Sequence, residues 1–139
     1  MSRYPIAFLI FLLAPISSAD LFDLSEDKLD ERATTILTGK VQRIFTRTEN
    51  KEAPGGIYQY TYYAAELFVE SVEKGERIET GDLVYVRMYR SQWVGQGFEP
   101  PGHNGHHPLP IRGMSATVFL KRGTDGGYDV VLPNGLVKK

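Results

Sequence analysis

From Ile57 to Val72 the chain reads IYQYTYYAAELFVESV, sixteen residues without glycine or proline. Its later half alternates. Ala65, Leu67 and Val69 fall on one side, Glu66 and Glu70 on the other. A two-residue period fits a strand with one face in a core and one toward solvent, because successive side chains of a strand point opposite ways. The acids then mark the solvent side.

Segments of the same kind recur along the chain. TTILTGKVQRIFTR (Thr34–Arg47) is rich in β-branched residues, and Gly39 in its middle marks a bend or bulge. A polar loop, TENKEAPGG, follows it. LVYVRMYRSQW (Leu83–Trp93) sets Val84, Val86 and Met88 against Tyr85, Arg87 and Tyr89. SATVFLKR (Ser115–Arg122) and YDVVLP (Tyr128–Pro133) are a fourth and a fifth strand about the turn GTDGG. The segment from Val94 to Gly113 carries prolines at 100, 101, 108 and 110, so it is neither regular helix nor central strand. Ser25 is placed to cap a short helix. Glu26 and Asp27 lie in its first turn, and Leu24 and Leu29 at the positions of a hydrophobic staple.

The expected architecture is mainly β: a five-stranded, closed or half-closed barrel with a short N-terminal helix. The domain limits are 20–33 for the helical arm, 34–135 for the barrel and 136–139 for a basic tail. The runs LTGKV, YAAELFVESVEKG, GDLVYVR, ATVFLKR and GGYDVVLPNG resemble the small exported OB-fold-like domains, including the netrin-like and metalloproteinase-inhibitor-like ones. The resemblance spans Thr34 to Gly135 and implies a barrel that binds ligands on its second and third strands. Those relatives lean on cysteines, and this chain has none. Inhibition through an N-terminal cysteine is therefore not implied. An SH3-like barrel and a small β-sandwich are the alternative shapes.

The first nineteen residues, MSRYPIAFLIFLLAPISSA, have the three parts of a secretory signal. Arg3 precedes an apolar run, and Ser17 and Ala19 are small residues at the −3 and −1 positions of a cut after Ala19. The apolar run is far shorter than the roughly 20 residues of a spanning helix. Export to a periplasm or the outside is expected, with no membrane association after cleavage. Removing 19 of 139 residues leaves 120, enough for one domain. Arg3 leaves with them, and the net charge goes from −1 to −2. That balance offers no bulk attraction to nucleic acid.

Two groups of residues are candidates for function. In strand two, Tyr58, Tyr60 and Tyr62 have the parity opposite to the core, and Tyr85, Arg87 and Tyr89 join them from strand three, with Trp93 nearby. Aromatic rings with a few arginines stack well on glycans and on protein side chains. The candidate partner is an envelope protein, a peptide or a glycan. The second group is His103, His106 and His107 in PPGHNGHHPLP (Pro100–Pro110), the only histidines of the chain. Imidazole suits zinc and copper, so metal binding by residues 103–107 is the alternative function, and no other cofactor is indicated. No nucleophile elbow, HExxH, P-loop or dinucleotide motif occurs. The expected role is therefore non-enzymatic.

Overall fold

The computed structural model describes residues 22–98 and 105–139. The signal segment with its cut after Ala19, and His103 of the candidate metal set, lie outside the described residues. One short helix, α1 (Glu26–Arg32), is followed by six strands: β1 (Thr35–Ala53), β2 (Gly56–Lys74), β3 (Leu83–Gly95), β4 (Ser115–Arg122), β5 (Tyr128–Val130) and β6 (Leu136–Lys138). The molecule is mainly β. Among the described residues no helix is long and apolar enough to cross a membrane.

Five strands close a ring. β1 pairs with β2, β2 with β3, β3 runs parallel to β5, β5 pairs with β4, and β4 returns to β1. The alternation expected in β2 and β3 sets the ring's interior. Leu67 and Val69 meet Val84 and Val86 there, with Leu37, Val118 and Leu120 from the other side. β1 must bend to touch both β2 and β4, and its register against β2 shifts at three places, one of them between Thr38 and Gly39. A Cβ at Gly39 would lie 2.7 Å from the Phe68 carbonyl oxygen, so only glycine fits this crossing.

Two expectations fail here. The polar stretch Thr48–Ala53 is strand and not loop, because β1 and β2 run on as a hairpin to a turn at Pro54–Gly55. From Thr48 to Glu52 its residues are exposed on both faces, so no apolar period announces it. The second failure concerns the C-terminus. Residues 136–138 form β6 and are not a tail, and the fifth strand stops at Val130. Along β4, β5 reaches only Leu120–Arg122 and leaves the first half of that strand open; β6 fills that half by pairing with Ala116–Val118. The Phe119 N–H donates to the Gly135 carbonyl and the Val131 N–H to the Phe119 carbonyl, so residues 132–134 bulge out of one continuous edge. Leu136, 1 % exposed, anchors the return.

The helix forms as its cap predicts. The Lys28 N–H donates to Ser25 Oγ at 3.3 Å, and Leu29 is buried against Ala33, Ile36, Phe119 and Val131, with Leu24 beside them. α1 therefore covers the outer side of β1 and β4, and it meets β2 at that strand's last residue, where Lys74 Nζ donates to the Asp30 carbonyl at 2.8 Å. The Asn134 side chain accepts from the Leu24 N–H and donates to the Leu24 carbonyl, both at 2.9 Å.

Candidate binding face

The outer face of β1, β2 and β3 is built in rows, one residue from each strand. The pairing gives Lys51–Tyr58–Trp93, Glu49–Tyr60–Ser91, Arg47–Tyr62–Tyr89, Phe45–Ala64–Arg87 and Arg43–Glu66–Tyr85. β2 and β3 pair from Gly56 to Phe68 without a register shift, so one parity holds throughout. All seven aromatic and arginine candidates lie on this face.

Toward the hairpin tip the rings form a ladder. Tyr60 and Tyr62 stack with centroids 6.0 Å apart, Tyr58 packs on Trp93 at 4.9 Å, and Tyr60 leans on Tyr89 at 6.1 Å. The Arg47 guanidinium lies over the Tyr62 ring and the Lys51 ammonium over the Tyr60 ring. Tyr58 is only 5 % exposed, so it supports the ladder from below and does not form its surface. Trp93 Nε1 and Ser91 Oγ are buried without a hydrogen-bond partner among the described residues.

Toward the base the same face is held by charge. The Tyr85 hydroxyl donates to Glu66 Oε2 at 2.6 Å, and Arg43 Nε lies 3.7 Å from Glu66 Oε1. Glu66 is thus 5 % exposed and corrects its expected place toward solvent: its neighbours on β1 and β3 close over it. The hydrogen bond to the carboxylate raises the Tyr85 pKa, since a phenolate would face that carboxylate. Arg87 forms two forked pairs. Its Nε and Nη2 donate to Asp129 at 2.6 and 3.1 Å, and its Nη1 and Nη2 donate to Asp125 at 2.5 and 3.0 Å. Arg87 therefore ties β3 to the β4–β5 turn and to β5, and its charge is matched from within. Nothing in the local spacing of Asp125 and Asp129 places them beside β3.

Between ladder and base lies a groove whose floor is Ala64, the one small side chain in its row. A cleft of about 320 Å³ opens there among Phe45, Arg47, Tyr62 and Arg87. A second, of about 420 Å³, continues it beyond Arg87 among Tyr62, Tyr89, His106 and Leu132. Phe45 leans on Tyr85 at 6.4 Å and makes one wall; Tyr62 and Tyr89 make the other.

The two histidines among the described residues, His106 and His107, are pulled apart by their partners. His106 is 3 % exposed. Its Nε2 is 2.7 Å from the Val130 carbonyl, its Nδ1 is 3.0 Å from the Tyr89 N–H, and its own N–H donates to the Tyr89 carbonyl. These partners suit the neutral ring with the proton on Nε2. The ring prolongs the sheet past the end of β5, where Gly105 also bridges to Arg90. Metal binding by His106 would first have to break the Tyr89 hydrogen bond. His107 points elsewhere: its Nε2 is 3.0 Å from Asp23 and its N–H donates to the Pro133 carbonyl. Among the described residues no three His, Asp or Glu side chains converge as ligands.

No protein-family model, no curated protein and no solved structure matches the chain.

Proposed function

We propose that this chain is an exported, OB-like barrel that acts without catalysis, binding an extended peptide or glycan strand, free or carried by an envelope protein, across the outer face of β2 and β3. The ring order β1-β2-β3-β5-β4 with its parallel β3–β5 pair supports the OB-like assignment. The observation that carries the binding role is the groove over Ala64, walled by Phe45 on one side and by Tyr62 and Tyr89 on the other. Aromatic walls supply flat apolar area at small entropic cost, and such residues dominate interface energetics. Charge on the face is balanced: Glu49 stands between Arg47 and Lys51, and two aspartates hold Arg87. A polyanion gains nothing from such a surface, which sets nucleic acid aside.

The test is a titration of the isotopically labelled chain with separate panels of oligosaccharides and extended peptides, read by NMR. A ligand of one class should shift the amides of Tyr62, Ala64, Arg87 and Tyr89, and Tyr62→Ala should weaken it by about tenfold with the melting temperature unchanged. Shifts confined to the opposite face, at Thr61 and Gln92, would overturn the assignment, as would silence from both panels.

A further inference from the structure

β1 is covered on its second edge only in part. β4 pairs with Thr35–Lys40, and Val41 exchanges backbone hydrogen bonds with Gly113 and Met114. Beyond that point, among the described residues, no strand lies along Arg43–Ala53 on the side away from β2. Apart from Ile44, every side chain from Arg43 to Glu52 is exposed. A bare edge of this length is a template for another strand, and proteins normally shorten, bulge or cover one.

We propose that this edge pairs with the same edge of a second copy, antiparallel, about a two-fold axis at Thr48. Charge selects that register. With the axis at Thr48, Arg47 lies opposite Glu49 of the second copy, and the contact occurs twice. On the other face Thr48 meets Thr48, and Thr46 meets Asn50, pairs that hydrogen-bond across strands. Moving the axis to Arg47 sets Arg47 against itself and Arg43 against Lys51. Moving it to Glu49 sets Glu49 against itself and Arg47 against Lys51. Both neighbouring registers thus stack like charges, which destabilises directly opposed pairs. Thr48 is also the midpoint of Arg43–Ala53, so this register uses the whole open edge with no overhang. The two β1–β2–β3 sheets join into one, and both aromatic grooves face the same side.

Sedimentation across a range of concentrations tests this. The chain should show twice its mass at high concentration. Arg47→Glu alone and Glu49→Arg alone should each weaken association at least about tenfold, since each sets like charges opposite one another. The two variants mixed should associate with each other, because the mixture restores opposite charges at every pair. The chain has no cysteine, so Thr48→Cys should oxidise to a covalent dimer. Asn50→Cys should not, its two copies being ~13 Å apart in this register. A monomer at all concentrations, charge variants that stay apart when mixed, or equal cross-linking at 48 and 50 would each overturn the proposal.

Discussion

Both ring nitrogens of His106 are engaged by backbone groups that no strand reaches, the Tyr89 N–H and the Val130 carbonyl. A side chain that stands in for a missing strand is structural at root. His106→Phe keeps the ring and its edge-on contact with Tyr89 but leaves a buried donor and acceptor unpaired. A loss of about 2 kcal/mol or more is expected in urea unfolding. Arg87 is likewise bound by its neighbours. Its guanidinium holds the Asp125 carboxyl down at about 2, below the ordinary carboxylate value. A depressed folded-state pKa means stability that is present above the unfolded value and lost as pH falls through the folded one. The urea midpoint should therefore drop as pH goes from about 4 to 2, and Asp125→Asn should remove that part of the slope. His106, His107 and the pair Asp125 and Asp129 were visible in the sequence, but their partners were not. Each partner comes from a different element.

At the scale of elements, local signals served best where an element makes its own contacts. Ser25, Glu26 and Leu29 announce α1 because cap, dipole and staple lie within a few residues of one another. Its docking rests on Leu29 in the small cluster with Ile36 and Phe119. Leu29→Ala should release the helix at a cost of about 2–3 kcal/mol. Hydrogen exchange should show amides 26–33 losing protection while those of β2 keep theirs. Two features escaped for one reason. The outer half of β1 and the whole of β6 are strands made by a neighbour's open edge, not by their own alternation. Thr48–Ala53 follows β2, whose tyrosines pair with it, and Leu136–Lys138 follows the part of β4 that β5 leaves bare.

For the whole molecule, the ring is as strong as its shortest seam. β3 and β5 share two paired positions, Val86 with Tyr128 and Arg87 with Asp129, whereas β1 and β2 pair along nearly their full length. Arg87 and His106 reinforce the seam through side chains. Opening should start there. The amides of Tyr128–Val130 should exchange faster than those of Leu67–Val69, and Asp129→Asn should widen the gap without moving the latter. What the sequence determined by itself was the set of strands with a buried face, the parity that puts Tyr60, Tyr62, Tyr85 and Tyr89 on one side, and the capped helix. Each of these rests on a period or a spacing a few residues long, which backbone geometry imposes before any packing. The tertiary structure alone decided which edges met, and so which polar groups were used up. It turned Arg87 into a clamp, His106 into a piece of sheet and Glu66 into a buried acid, because burial and pairing depend on neighbours that are distant along the chain. It also left the outer edge of β1 bare, since β4 ends its pairing at Lys40 while β1 runs on with β2 and β3 on its other side alone.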